Sequence, residues 1–181
     1  HLTKISDSTF YNCNNLKNIK IPVNSELQII EKDAFYYTMI RSLELPKSLA
    51  KLEDGWSNGI KILTKITVHK KNPFYFSPYE KILAGKASSK SKDFDSIVFV
   101  TKDLTGLEIP SFIKHIGPNA FYDCRYLRII DIPEDSILQT IGYCAFACSS
   151  IIYQFSLSLD PSIFHVIGRP HHPPSEDGTE K

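Results

Sequence analysis

Four cysteines and six histidines are the residues best suited to hold a metal or to act as nucleophile or base. Cys144 and Cys148 stand four positions apart in "YCAFACSS". That spacing is close to one at which two thiolates share a zinc ion, and a turn between them makes a disulfide conceivable. Structural zinc takes four ligands, and no second Cys or His pair lies nearby. Packing of two small side chains is the plainer reading of the pair, and a disulfide is its alternative. Cys13 and Cys124 occupy equivalent places in "TFYNCNNL" and "AFYDCRYL", a place that Thr38 fills in "AFYYTMI". A small side chain turned into a tight inner turn accounts for all three. His171 and His172 sit on a proline-rich stretch without partners and read as solvated. His69, His115 and His165 are far apart, and His115 and His165 hold near-equivalent places in two similar segments. That places them in a surface slot of a repeated unit, not at a general base. No G-x-S-x-G, H-E-x-x-H or phosphate-cradling glycine loop occurs. No catalytic residue, metal site or cofactor is expected, and the chain is not expected to be an enzyme.

The elements around these side chains recur. "KISDSTFYNCNNLKNIKIP" (4–22) and "HIGPNAFYDCRYLRIIDIP" (115–133) share eight identities over nineteen ungapped positions. Further copies follow at Ile30 to Pro46, at Ile141 to Ile151 and, more weakly, at Leu52 to Val68, where Trp56 stands near the Phe position. The unit is Ile-x4-Phe-x5-Leu-x2-Ile-x-Ile-Pro, returning roughly every 24 residues. Ile-x-Ile has the period of a strand and turns two branched side chains to one face. Proline then ends the ladder, since it has no N–H to donate. The Ala-Phe-x-x-Cys stretch has room for one tight helical turn with its Phe pointing inward. Each unit alone leaves an apolar face bare, and stacking closes a continuous core. The architecture is a solenoid.

Bulk composition agrees and narrows the function classes. Of the 181 residues 42% are hydrophobic, enough for a packed core. The net charge of +1 supplies no long-range pull toward nucleic acid or anionic lipid. No apolar run approaches the length of a membrane span, no basic-then-apolar leader opens the chain, and no Asn-x-Ser/Thr acceptor is present. The absence of an initiating Met suggests a fragment or a processed piece.

The repeat resembles the BspA-like (treponema-type) leucine-rich repeat, whose units read like I-x-x-x-A-F-x-x-C-x-x-L-x-x-I-x-I-P. The resemblance covers residues 2–69 and 107–168. It implies a curved, right-handed leucine-rich repeat solenoid, β-rich with short helical turns, carrying a parallel sheet on its inner face. It also implies a non-enzymatic role in adhesion or recognition at a cell surface.

The period breaks between Val68 and Leu107. "KILAG" (81–85) and "SIVFV" (96–100) read as strands flanking the polar "KASSKSKD". A hairpin insertion joining two repeat blocks is expected there, locally basic with eight basic to four acidic residues over 65–103. That charge reads as a solvated hairpin tip, or else as a site for an acidic partner. Four segments follow: repeats over 1–69, the insertion over 70–106, repeats over 107–168, and a disordered tail over 169–181.

A functional surface is best sought where the repeat varies. The middle residue of each Ile-x-Ile strand faces away from the core, giving the column Lys20, Glu44, Thr67, Glu108 and Asp131, with Ser156 less securely aligned. Asn18, Ser42, Lys65 and Ile129 lie two residues earlier on the same face. The core positions barely change while this column mixes charges, as a protein-binding solenoid requires. Lys20, Glu44, Thr67, Glu108, Ile129 and Asp131 are the expected partner-binding residues, against the plainer reading of an ordinary solvated face. A mixed-sign column does not suit phosphate tracking. The expected function is a protein-binding module of a surface-exposed, adhesin-like antigen, engaging a host-cell or matrix protein without inserting in a membrane. The alternative is an intracellular scaffolding repeat protein.

Overall fold

The computed structural model describes residues 1–88 and 90–151. Among them, twelve short strands run in order: β1 (Lys4–Ile5), β2 (Ile29–Ile30), β3 (Ser42–Leu45), β4 (Lys51–Leu52), β5 (Lys65–Val68), β6 (Tyr75–Phe76), β7 (Ile82–Gly85), β8 (Ser96–Val100), β9 (Gly106–Glu108), β10 (His115–Ile116), β11 (Ile129–Asp131) and β12 (Thr140–Ile141). They build a β-solenoid of about six turns with almost no helix. The second to fifth turns each contribute to two parallel ladders, and the first and last described turns to one. The first ladder falls in two separate sheets: β1–β2–β4, with Ile5, Ile30 and Leu52 in register, and β8–β10–β12, with Ile97, Ile116 and Ile141 in register. The second ladder pairs β3 with β5 and β9 with β11. Its residues alternate exposed and buried, as in Ser42–Leu43–Glu44–Leu45, because the Ile-x-Ile pattern sends every second side chain inward.

The Ala-Phe stretch between the two ladders is not the helical turn expected of it. Its first and fifth residues adopt left-handed backbone in every copy: Ser8 and Asn12, Asp33 and Tyr37, Gly55 and Gly59, Asn119 and Asp123, Cys144 and Cys148. The left-handed residues break what would be a helical run of N–H groups. The freed N–H groups reach the next turn of the stack, with Phe10 donating to the Ala34 carbonyl (2.9 Å), Asn12 to Tyr36 (2.8 Å) and Phe121 to Ala145 (2.7 Å). The turn is therefore paired sideways like a strand, which satisfies backbone groups that burial would otherwise orphan. The prolines do more than end strands. Pro22, Pro46, Pro110 and Pro133 each offer a carbonyl to the N–H three residues on, opening the turn back to the first ladder.

Equivalent side chains stack from turn to turn. The Phe10 and Phe35 rings lie 5.6 Å apart and nearly parallel, Tyr11 and Tyr36 4.9 Å apart, Phe121 and Phe146 4.9 Å apart. The third turn departs from this order. Counting from Leu52, Trp56 fills the Ala slot and Ser57 the Phe slot, and both are buried. The exchange of volume fits because the next turn is short: strand β8 passes straight through, and the N–H of Val100, only three residues after Ile97, pairs with the Ala120 carbonyl. Trp56 fills the space so left and packs on Phe99, with ring centres 5.3 Å apart.

Strands β7 and β8 are antiparallel to one another, and β6 to β7. They do not stand apart from the repeats as an inserted hairpin would. β8 pairs in parallel with β10 of the later turns, and every residue of β7 is buried. Leu83 and Phe99 belong to the core of the first three turns, whereas Ile82, Ile97 and Val100 belong to that of the later ones. The pair is a wall shared by two cores. Asn72 secures its entrance: its buried amide donates to the Pro46 and Leu49 carbonyls (2.8 and 2.9 Å) and accepts from the Phe74 and Tyr75 N–H groups (2.8 Å each). The expected tail (169–181) lies outside the described residues.

Candidate functional site: the outward face of the second ladder

The column read from the sequence comes together on the second ladder. Glu44 and Thr67 are direct neighbours in the β3–β5 register, as are Ser42 and Lys65. Glu108 and Asp131 are neighbours in the β9–β11 register, and Ile129 faces Gly106. Lys20 joins the first group through the hydrogen bonds that tie turn one to turn two, from the Met39 and Arg41 N–H groups to the Leu16 and Lys17 carbonyls. Lys20, Glu44, Glu108, Ile129 and Asp131 are exposed, and Thr67 is half-buried. Ser156 lies outside the described residues.

The column is not one continuous ladder. Against β5 lies a 3-10 turn, Pro78–Glu80, which sequence reasoning did not place on this face. Ser77 Oγ donates to the Ile66 carbonyl (2.6 Å), and Lys81 Nζ donates to the Thr64 carbonyl (2.7 Å) and Asp103 Oδ2 (2.5 Å). Lys65 Nζ meets Glu80 Oε1 at 2.9 Å. The Lys81 ammonium and the Thr101 hydroxyl hold the Asp103 carboxyl below its usual range, against a raising effect of partial burial. The available signal was the "SPY" triplet itself, a turn initiator inside an aromatic run.

The cysteines divide by depth. Thr38 and Cys124 are buried as expected, and the Thr38 hydroxyl donates to the Phe35 carbonyl at 2.8 Å. Cys13 corrects the expectation: it is exposed, because the first turn is stacked on one side only in this chain. All four cysteines are free thiols, Cys144 half-buried and Cys148 exposed, so the disulfide alternative is not formed here. Each of those two sits at a left-handed turn position. Cys148 lies against Tyr122, and burial first, then that thiol, push the Tyr122 hydroxyl up to about 12. Lys102 Nζ is buried with the Tyr122 carbonyl at 2.5 Å and Cys124 Sγ at 3.7 Å. Burial lowers its pKa. His115 Nδ1 meets Thr140 Oγ1 at 2.8 Å on the first ladder, in the surface slot expected of it. His165, His171 and His172 lie outside the described residues.

Among the described residues, no group of three or more His, Cys, Asp or Glu is placed to hold a metal, and no helix is long and apolar enough to cross a membrane. A concavity of about 300 Å³ opens beside the short fourth turn, over Trp56, Val98 and Pro118 and between Glu53, Asp54 and Lys86. The arrangement can present a fixed set of charged and apolar side chains to another molecule.

Comparison with known proteins agrees with this geometry. Six copies of the repeat described as "BspA type Leucine rich repeat region" match residues 1–83 and 92–166. The match reaches into both strands of the shared wall. No curated protein matches the chain by sequence. Three solved structures share the fold. A leucine rich cell surface protein from Faecalibacterium prausnitzii is 22% identical with a TM-score of 0.69, covering 87% of this chain and 39% of that one. The pneumococcal vaccine antigen PcpA is 24% identical with a TM-score of 0.73, covering 86% of this chain and 37% of that one. A leucine-rich repeat protein from Eubacterium ventriosum is 21% identical with a TM-score of 0.58, covering 77% and 42%. This chain therefore spans about two fifths of the length of each. With six copies over most of its length, the chain belongs to the BspA-type leucine-rich repeat family.

Proposed function

We propose that this chain is a non-enzymatic protein-recognition module that works at a cell surface and binds a host-cell or matrix protein through the outward face of the second ladder. The observation that carries the reading is the contrast between invariant inward and varied outward positions on one strand. Leu43, Leu45, Ile66, Ile130 and Ile132 are buried branched residues, while Lys20, Glu44, Thr67, Glu108, Ile129 and Asp131 alternate with them and differ in charge and size. A rigid frame with a varied exposed column suits recognition. The placement at a cell surface is supported by the printed descriptions of two structural neighbours, one a cell surface protein and the other a vaccine antigen. Their likeness to this chain is one of fold.

The test is binding of the purified chain to epithelial cells and to immobilised matrix glycoproteins. Wild type would be compared with Lys20→Ala/Glu44→Ala/Glu108→Ala/Asp131→Ala. The four side chains are exposed, so the variant should keep the wild-type circular dichroism and melting temperature while its binding falls. A folded variant that binds as wild type does would assign recognition elsewhere. Antibody labelling of intact producing cells checks the location, and signal only after permeabilisation would favour the intracellular scaffold.

A further inference from the structure

We infer that a hollow beside β6 docks an acidic polypeptide segment, seating one apolar side chain against Phe76 and Phe94 and holding a neighbouring Asp or Glu by His69, Lys70 and Lys86. The hollow measures about 60 Å³; Val68, Tyr75, Phe76 and Phe94 give it apolar walls, and His69 and Lys70 line it with them. It uses none of the column's residues. Its walls are held in place before any ligand arrives. Phe94 packs on Phe76, ring centres 5.9 Å apart, and the Lys86 ammonium stands 5.8 Å from the centre of the Phe94 ring. Tyr75 is tied through its hydroxyl, which accepts from the Leu52 N–H at 2.9 Å, and through its own N–H, which donates to Asn72 Oδ1. Phe76 nonetheless leaves 47% of its surface exposed. A preformed apolar hollow with an exposed aromatic at its edge can seat a side chain with little ordering cost.

The donors around the hollow select the charge of its partner. The Lys71 N–H donates to His69 Nδ1 at 3.2 Å, which leaves Nε2 to carry the ring proton as a donor. Lys70 and Lys86 have no ion-pair partner among the described residues. The acids of the same stretch, residues 70–95, are Glu80, Asp93 and Asp95. Glu80 is paired with Lys65 and Asp95 with Lys114. Asp93 alone is set against Lys70, Lys71, Lys86, Lys90 and Lys92, none of them paired among the described residues. A carboxylate beside an apolar residue answers both the donors and the hollow, and charge-assisted hydrogen bonds are the stronger kind. A sulfated glycan or an anionic bilayer would answer the lysines alone. A glycan brings no apolar knob, and a bilayer takes up protruding apolar groups and leaves a hollow unfilled.

The experiment pans a phage-displayed random dodecapeptide library on the immobilised chain and measures selected peptides by fluorescence anisotropy. Enriched sequences should set Asp or Glu beside an apolar residue. Phe76→Ser and Lys70→Glu/Lys86→Glu should each weaken binding about tenfold or more, with the charge contribution fading at high salt. Lys70 is exposed, so Lys70→Glu alone should keep the wild-type melting temperature and still lose affinity, which separates recognition from folding. The variant with all four column residues changed to alanine should bind these peptides as wild type does. No enrichment, enrichment without acidic residues, or peptides indifferent to Phe76→Ser and Lys70→Glu would overturn the inference. Peptides lost only on the column variant would overturn it while supporting recognition by the second ladder. Heparin or phosphatidylserine vesicles that displace the peptides and bind Phe76→Ser as they bind wild type would make the patch a general polyanion site, and the acidic segment would fall.

Discussion

Lys102 is the residue whose environment is furthest from its ordinary one. Its amine is buried 2.5 Å from the Tyr122 carbonyl and 4.7 Å from the centre of the Phe99 ring, with no carboxylate bonded to it among the described residues. Burial disfavours the charged form and lowers the pKa, while Cys124 and Asp123 push back more weakly. A lowered lysine pKa costs stability in full below the folded value. As pH rises through that value toward about 10.4, the unfolded chain holds the extra proton and the cost is relieved. Burial raises the neighbouring Cys124 thiol, and its contribution has the opposite sign, falling as pH passes its ordinary value of about 8.5. The measurement therefore belongs in a Cys124→Ala background. Urea unfolding from about pH 7 to about pH 10 should show a stability gain in that protein that is absent when Lys102→Met is added. Parallel pH profiles for the two proteins would mean that Lys102 titrates alike folded and unfolded. None of this was legible in the sequence, where Lys102 counted as one of eight basic residues in a patch read as solvated. A buried lysine has no local signature, because its depth depends on the short fourth turn bringing Leu63 and Tyr122 to either side of it.

At the scale of the element, the ladders were legible and the turns were not. Ile-x-Ile-Pro fixes a strand, its inward face and its end by period and by a missing donor, so β3, β5, β9 and β11 follow from residue type. The Ala-Phe stretch gives no such period. Its form is set by partners in the next turn, roughly 24 residues away, and only the glycine pair Gly55 and Gly59 hinted at left-handed backbone. The same distance effect hid the shared wall, because β7 and β8 read locally as a hairpin and only stacking shows them as a layer. A paired substitution tests the turn geometry. At Gly59 (φ 68°) a Cβ would lie 2.8 Å from the Tyr36 ring and 3.0 Å from the Tyr37 nitrogen. Gly59→Ala should cost about 1–3 kcal/mol. Asn119 holds φ 56° at an equivalent class of position. Asn119→Gly removes strain of about 1–2 kcal/mol and adds unfolded-chain entropy of about 0.5–1, so it should stabilise by about 0.5–1 kcal/mol. Denaturant midpoints decide it, and loss of stability in both variants would count against the left-handed assignment.

At the scale of the molecule, a solenoid is a row of layers each held by its neighbours, so its cooperativity depends on the weakest contact in the row. Here the two cores meet at the antiparallel wall, where, among the described residues, the strands change direction. Its side chains alternate between the two cores, Leu83 and Phe99 to one side and Ile82, Ile97 and Val100 to the other. A wall shared in this way couples the blocks: loosening either core removes support from the strand that serves both. The single tryptophan reports on it, since Trp56 lies in the first block and packs on Phe99. Phe121→Ala empties a fully buried site in the second core, beside the Phe146 ring, and should cost about 3–5 kcal/mol. If the wall transmits that loss, the fluorescence midpoint of Trp56 falls together with the circular dichroism midpoint, although Phe121 belongs to the other core. Adding Phe99→Ala removes the ring that joins them, and the tryptophan transition should then separate from the second-block transition. A Trp56 midpoint unmoved by Phe121→Ala alone would mean two independent cores that merely adjoin, and the pair β7–β8 would then be a spacer between recognition surfaces instead of the element that keeps the two halves of the second ladder in fixed relation.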